Sequence, residues 1–179
     1  MSANREVSLR PFTRDDLPSM VRWNNDPEVE YYVDCDLPKT LPDCERWFRA
    51  NIPSRDYRLY AIEDERGRLI GDLELDHISW RNREAEFRIR IGEKTYWNNG
   101  YGTAAVRKLL GLALTELGLH RIYLRVYRFN RRAIRCYEKC GFRKRGLLRR
   151  TGRHAAGWKD IILMTILIDA AREAAAGSE

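Results

Sequence analysis

The clearest alternation of polar and apolar residues covers residues 84–91, whose sequence is EAEFRIRI. A period of two places apolar side chains on one face of a β-strand and charged side chains on the other. Two further strand-like segments, 57–63 and 69–79, are separated by the turn residues 65–68. Together these three segments predict an antiparallel meander of about three strands.

Helix signals precede the meander. Thr13 followed by Asp16 resembles a capping box, which predicts a helix over 14–25 that ends at the following Asp-Pro pair. Thr40, with a proline in the next turn, predicts a second helix that carries an aromatic pair, Trp-Phe.

The second half of the chain alternates between helices and strands. A glycine pair precedes a long helix to Leu117, and Asn130 begins another helix that ends at Cys140-Gly141. Additional strands are predicted over 7–10, 121–126, 143–150 and 159–168, and the alanine-rich tail is predicted to be frayed helix. Since no repeat or linker interrupts this order, we expect one domain over residues 1–179 of the α/β (α+β) class.

Composition narrows the class of protein. The chain has 179 residues, of which 44% are hydrophobic and 33% charged, as is typical of a globular domain. No stretch of about 18 apolar residues and no apolar leader is found, so we expect a cytoplasmic protein without a membrane anchor. The four cysteines form no CxxC pair and have no spaced histidines nearby, which predicts free thiols and no metal site.

Charge is distributed unevenly along a chain whose formal net charge is +7. Residues 121–153 contain thirteen Lys or Arg and a single acid, whereas residues 15–45 contain nine acids and two bases. The basic segment is able to attract phosphates or a nucleic acid, and the acidic segment a cationic ligand. Both segments are also compatible with ordinary solvated surfaces.

Two close glycines, Gly100 and Gly102, lie between a predicted strand and a predicted helix. This arrangement presents unpaired backbone N–H groups and a positive helix end to an anion such as a pyrophosphate. A dinucleotide-binding βαβ unit is disfavoured because the preceding segments form an antiparallel meander.

A second candidate site lies on the helix that begins at Asn130. Tyr137 is seven residues further on, close to two helical turns, so the two residues share a face. A tyrosine is protonated at neutral pH and can donate a proton to a departing thiolate. The alternative is that Asn130 only caps the helix and Tyr137 only packs.

The segments YWNNGYGTAA and NRRAIRCYEKCGF, together with LRPFTRDDLPSMVRWNNDPEV and AEFRIRI, resemble the GNAT superfamily of N-acetyltransferases. Within it the chain is similar to the RimJ/RimL-like branch, named for enzymes that acetylate ribosomal-protein N-termini. The resemblance implies the GNAT fold. This is a mixed, mostly antiparallel sheet of about six to seven strands flanked by about four helices, with a splayed strand pair that holds acetyl-CoA.

The resemblance also implies roles for particular residues. The coenzyme-binding residues would be Phe87, Arg88, Ile89, Arg90, Ile91, Trp97, Asn98, Asn99, Gly100, Tyr101, Gly102, Thr103 and Asn130. Trp97 replaces the Gln or Arg that is usual in the pyrophosphate loop, so backbone contacts must supply more of the binding. Tyr137 matches the general acid. Glu86 is the candidate general base, and an ion pair with the neighbouring arginines is its alternative role.

The implied reaction is direct attack of a neutral amine on acetyl-CoA, with no metal. A lysine-like amine is neutral in about one molecule in 2,500 at pH 7, against roughly a tenth for an α-amine, so it demands more of the base. The resemblance implies that the first helices and their connecting loop border the acceptor, and the acidic residues 26–36 there favour a cationic acceptor: a basic protein N-terminus, a polyamine or an aminoglycoside. The protein is expected to be a monomer or a homodimer, and association with the ribosome is a further expectation. The alternative function is that of a non-catalytic module that senses acyl-CoA or binds nucleic acid through residues 121–153.

Overall fold

The sheet of this protein carries seven strands in the part of the chain described by the computed structural model, residues 5–33, 35–154 and 157–168. The strands are β1 (Ser8–Pro11), β2 (Arg58–Glu63), β3 (Leu69–Ser79), β4 (Glu84–Ile91), β5 (Arg121–Tyr127), β6 (Arg143–His154) and β7 (Gly157–Leu167). Their spatial order is β1-β2-β3-β4-β5-β7-β6. The predicted helix of the alanine-rich tail lies outside the described residues.

Five α-helices accompany these strands within the same described ranges: α1 (Leu17–Asn24), α2 (Pro27–Glu30), α3 (Leu41–Asn51), α4 (Tyr101–Thr115) and α5 (Arg131–Lys139). The predicted capping box is confirmed, since the Thr13 backbone N–H donates to Asp16 Oδ2 at 2.8 Å. The short helix α2 was not predicted. Asp26-Pro27 ends α1 as expected, but Asp26 also caps a new helix with Pro27 in its first turn.

The sheet is mixed and mostly antiparallel, as predicted. Antiparallel pairing joins β1, β2, β3 and β4 in sequence order and joins β7 to both β5 and β6. The β4–β5 pair is parallel, and its register runs only from Glu84 opposite Arg121 to Glu86 opposite Tyr123. Beyond Glu86 the two strands diverge, so the predicted splayed pair is present at the centre of the sheet.

Helices cover the sheet on both faces. On one face α4 and α5 bury the main apolar core, which includes Leu75 and Phe87. On the other face α1 and α3 pack over a smaller cluster that includes Leu17 and Leu59. In the described residues, none of the helices combines the length and the apolar character needed to span a bilayer.

Candidate active site

The N-terminus of α4 is built to receive an anion. Gly100 precedes the helix with φ of 88°, and Asn98 also has a positive φ of 60°. In the described residues no side chain caps this end, and the first turn contains no acid. The first-turn N–H groups, which have no partner inside the helix, therefore face outward with the positive end of the helix dipole.

Basic side chains surround this helix end and line a cavity of about 980 Å³ that begins there. They come from the N-terminal segment and from α4 and α5: Arg5, Arg107, Arg132, Arg135 and Lys139. Such a cluster, next to free backbone amides, suits the phosphates of coenzyme A.

Trp97 has a structural part in this loop. Its indole N–H donates to the Ile91 carbonyl at 2.6 Å, which ties the loop to the end of β4. The guanidinium of Arg132 lies 4.0 Å from the centre of the Trp97 ring. Trp97 thus places a cation beside the helix end, where the Gln or Arg usual in the family would contribute its own polar group.

The cavity continues into the gap between β4 and β5. The five residues of 87–91 line one wall, and Arg125, Val126 and Tyr127 line the other. Because β4 pairs with no other strand of the described residues on its β5 side beyond Glu86, its backbone there is available to an extended ligand. This geometry fits the pantetheine arm of coenzyme A.

Asn130 and Tyr137 meet at the same cavity, as their spacing predicted. Asn130 Oδ1 accepts from the Ala133 N–H at 3.2 Å, so this side chain does cap α5. The Tyr137 ring packs edge-on against Phe87, with 6.1 Å between ring centres, beneath the split between the strands. The capping and packing roles are therefore real, and both residues also border the space a coenzyme would occupy.

A row of carboxylates on β3 lines the far end of the cavity, and the sequence analysis missed it. Asp72, Glu74 and Asp76 lie opposite Arg90, Arg88 and Glu86 of β4, respectively. The sequence does contain a pattern that predicts this row, because residues 69–76 read LIGDLELD and alternate between apolar residues and acids. That alternation is the same as in β4 and predicts one acidic face.

Glu74 is held by two donors. Arg88 Nη1 donates to Glu74 Oε1 at 2.7 Å, and the Tyr57 hydroxyl donates to Oε2. Burial and the negative charge of Glu74 raise the pKa of Tyr57, so the phenol stays protonated and keeps donating. This arrangement fixes the position of a carboxylate at the cavity wall.

Glu86 and Tyr101 do not line the cavity. The buried Glu86 carboxylate accepts from Arg125 Nε at 2.8 Å and lies 3.6 Å from Arg88 Nη2, so the ion-pair role considered for it is present. The Tyr101 hydroxyl donates to Glu65, and its ring packs in the core against Tyr96. Of Tyr101, only the backbone N–H reaches the helix end.

A comparison with models of known protein families shows to which family the chain belongs. The family model described as the acetyltransferase (GNAT) domain matches residues 6–143. The chain belongs to the GNAT acetyltransferase family. The spermidine N(1)-acetyltransferase of Vibrio cholerae is 31% identical over 145 residues, which cover 81% of this chain and 83% of that protein. The aminoglycoside N(6′)-acetyltransferase type 1 of Klebsiella pneumoniae is 26% identical over 157 residues, covering 81% and 78% respectively.

A solved structure has the same fold over most of the chain. The crystal structure of the V. cholerae spermidine N-acetyltransferase in complex with CoA and spermine matches with a TM-score of 0.87 at 29% identity. The match covers 93% of this chain and 98% of that one. The present GNAT protein is therefore an acetyl-CoA-dependent N-acetyltransferase. The finer resemblance to the RimJ/RimL-like branch gains no support from these relatives, which are spermidine and aminoglycoside enzymes.

Proposed function

We propose that this enzyme acetylates a primary amine of a polyamine such as spermidine. One observation carries the proposal: a single cavity runs from the basic α4 end to a wall of carboxylates on β3, with the β4–β5 split between the two. An acetyl donor with an anionic handle fits one end, and a cationic amine fits the other.

The acidic end has more carboxylates than it needs for its own arginines. Asp72, Glu74 and Asp76 line it, together with three guanidinium groups; Asp36 lines the same cavity, and Glu86 lies behind the wall. The three guanidiniums are those of Arg88, Arg90 and Arg125, and each is paired with a carboxylate. The surplus negative charge remains for a ligand with several ammonium groups.

Two kinds of relative support a cationic acceptor. The V. cholerae protein and its counterpart in Escherichia coli K12, 30% identical over 148 residues that cover 83% of this chain, are both spermidine N(1)-acetyltransferases. The K. pneumoniae relative acts, by its name, on an aminoglycoside, which also carries several ammonium groups. A polyamine accounts for the long acidic wall and is the acceptor we favour.

The chain's own residues supply the proposed chemistry. Acetyl-CoA brings the thioester into the β4–β5 split, where backbone N–H groups of residues 87–91 are able to hold the developing oxyanion. Tyr137 would donate its phenolic proton to the departing thiolate. Glu86, the base predicted from the sequence, lies behind the cavity wall, so we propose that it acts on the acceptor only through a group that lines the cavity. The thirteen coenzyme-binding residues predicted from the motifs keep their proposed roles, Tyr101 through its backbone alone.

An assay of free thiol release with a panel of amines tests the proposal. The panel holds spermidine, spermine, an aminoglycoside, a peptide with a free N-terminus and free lysine, each at equal concentration with saturating acetyl-CoA. We expect kcat/KM for the polyamines to exceed that for the peptide by at least about tenfold, because only they place several charges along the wall. Faster turnover of the peptide would favour the RimJ/RimL-like acceptor and contradict the polyamine proposal.

Three further expectations remain proposals. Residues 1–179 form one catalytic domain; the enzyme is a monomer or a homodimer; and the basic segment 121–153 permits association with the ribosome. The alternative of a non-catalytic acyl-CoA-sensing or nucleic-acid-binding module is not favoured, because the chain is an acetyltransferase by family and by its relatives.

A further inference from the structure

A strained residue interrupts β3 next to the acidic wall. The register between β3 and β4 shifts between Asp76 and Ser79, and His77 within this bulge has a φ of +50°. A bulky side chain rarely adopts a positive φ, and such strain persists where the surrounding structure holds it. Bulges commonly re-aim a side chain beside an active site.

The bulge turns His77 back towards two carboxylates. Its Nδ1 lies 3.3 Å from Asp76 Oδ2 and 3.4 Å from Glu86 Oε2. These two acids face each other across β3 and β4. The His77 side chain is 66% exposed, whereas that of Glu86 is 7% exposed. The His77 imidazole therefore contacts both the cavity-lining Asp76 and the buried Glu86 while its own ring is exposed to solvent.

The reaction needs an outlet for a proton. An alkylammonium acceptor must lose a proton before its nitrogen can attack, and the new amide nitrogen loses a second. The departing thiolate takes up one proton, so each turnover releases one proton to solvent. Asp76 lines the cavity where the acceptor is proposed to bind, yet aspartate holds a proton weakly. In model peptides histidine binds a proton about 400 times more tightly than aspartate.

We propose that His77 relays the acceptor's proton from Asp76 to solvent. The N–H bond of the ammonium breaks, and its proton passes to the Asp76 carboxylate. Asp76 gives a proton to Nδ1 of the neutral imidazole, which releases one from Nε2 to water, and exchange with solvent restores the tautomer. The amine keeps the electron pair that attacks the thioester. His77 acts through Asp76 and touches no substrate.

This inference rests on the proposed acceptor and adds the route of its proton. Other charged or titratable groups surround the relay: Glu74 on β3, Glu84 and Arg88 on β4, and Tyr123 and Arg125 on β5. Burial, followed by the charges of Glu86, Glu84 and Asp76, raises the pKa of Tyr123, which keeps this phenol protonated. Arg88 and Arg125 hold Glu86 by ion pairs, and Arg88 Nη1 also lies 3.5 Å from Asp76 Oδ2. Of the two acids that contact His77, Asp76 is the one that lines the cavity.

The variant His77→Asn tests the relay, because asparagine tolerates a positive φ and preserves the bulge but cannot carry a proton. We expect kcat with spermidine to fall about tenfold at pH 7, with the dissociation constant of acetyl-CoA unchanged. The loss should shrink steadily as the pH rises towards 9, because more acceptor then arrives neutral. A purely structural defect would lower kcat equally at every pH and would overturn the proposal.

Chemical rescue supplies a second readout. In His77→Gly the exposed position leaves room for free imidazole, which we expect to restore part of the lost rate in a saturable manner. The matched control is His120→Gly, since His120 contacts Arg83 at 3.2 Å away from the cavity. Neither the wild type nor His120→Gly should respond to imidazole. Absence of rescue in His77→Gly, or wild-type kcat in His77→Asn, would overturn the relay.

The two proposals fail in different ways. If the wild type releases no thiol with polyamines, the proposed acceptor is wrong, and the variants are then compared on the amine that the wild type does acetylate. If the wild type turns over and the His77 variants show neither a pH-dependent loss nor rescue, the relay alone is wrong.

Discussion

The two faces of β3 and β4 have different roles: one face packs in the apolar core, and the other lines the cavity with charged side chains. On the face under α4 and α5, Leu75 is fully buried at 0% exposure and packs with Phe87 in the main core. On the opposite face Glu74 and Arg88 form an ion pair, with 18% of the Glu74 side chain exposed to the cavity. Because successive strand residues point to opposite sides, one segment supplies both a core and a binding wall.

The comparison separates stability from function. Apolar burial contributes about 25 cal/mol for each Å² removed from water, so the core face holds the fold. Partly exposed ion pairs contribute about 0–1 kcal/mol, so the charged face adds little to folding. Its cross-strand pairs are better understood as a means of holding carboxylates in fixed positions at the cavity. Substitutions on the two faces should therefore have different consequences.

The largest effect is expected from Leu75→Ala on the core face. Removing a fully buried leucine side chain lowers the free energy of unfolding by about 2–5 kcal/mol, because apolar burial is lost and a cavity forms. Urea denaturation followed by tryptophan fluorescence measures the change. Leu167→Ala on β7, where the side chain is exposed, should cost about 0.5 kcal/mol or less. Equal costs for the two variants would contradict the assignment of the core face.

Tyr137→Phe comes next. We expect kcat to fall about a hundredfold while the calorimetric dissociation constant of acetyl-CoA stays within twofold, because the ring keeps its packing against Phe87 and loses only the proton donor. Activity equal to that of the wild type would remove Tyr137 from the general-acid role.

On the charged face, Glu74→Gln should raise the KM for spermidine about tenfold, or about 1.4 kcal/mol, and leave the KM for acetyl-CoA unchanged. The matched control is Glu84→Gln, since Glu84 pairs with Arg121 at 3.1 Å and does not line the cavity. If both variants raise the KM for spermidine equally, the change reflects only the loss of one negative charge from the protein, and the β3 carboxylates do not form a specific binding site for the acceptor.

The smallest effect concerns the coenzyme end of the cavity. Hydrogen bonding from Cys140, together with a bond from Thr103 Oγ1 at 3.3 Å, lowers the pKa of Cys136. Since the thiolate is the reactive form, alkylation of Cys136 by iodoacetamide should reach half its maximal rate below the pH of about 8.5 at which an ordinary cysteine does so. Acetyl-CoA should slow this alkylation several-fold, because Cys136 lines the cavity. Mass spectrometry of the labelled peptide measures the rate. A midpoint at or above the ordinary pH, or a rate unchanged by acetyl-CoA, would contradict the prediction.

Much of the fold was predictable because its signals are local. The boundaries of β3 and β4 agree with the predicted segments 69–79 and 84–91, since alternation and turn residues fix them. The helix α2 was missed because Asp26-Pro27 is both a stop for one helix and a start for the next. The divergence of β4 from β5 was predicted only through the family resemblance. Pairing between strands that are distant in the chain cannot be read from the sequence of either strand alone.

The site was predictable to a different degree at its two ends. The coenzyme end lies in two contiguous motifs, so Gly100, Gly102, Asn130 and Tyr137 were found from their spacing. The acceptor end is assembled by strand register, which brings Asp76 opposite Glu86 and Glu74 opposite Arg88. The positive φ of His77 is likewise a product of the bulge. Glu86, one partner of this cluster, was predicted from the sequence, whereas the position of Asp76 at the cavity follows from the strand register.

A crystal structure of the enzyme with coenzyme A and spermidine would test most directly the claim that one cavity holds a donor and a cationic acceptor at oppositely charged ends. We expect the pyrophosphate at the N–H groups of residues 100–103 and a spermidine ammonium within hydrogen-bonding distance of Asp76 or Glu74. Spermidine bound only outside this cavity, with the β3 carboxylates untouched, would contradict it.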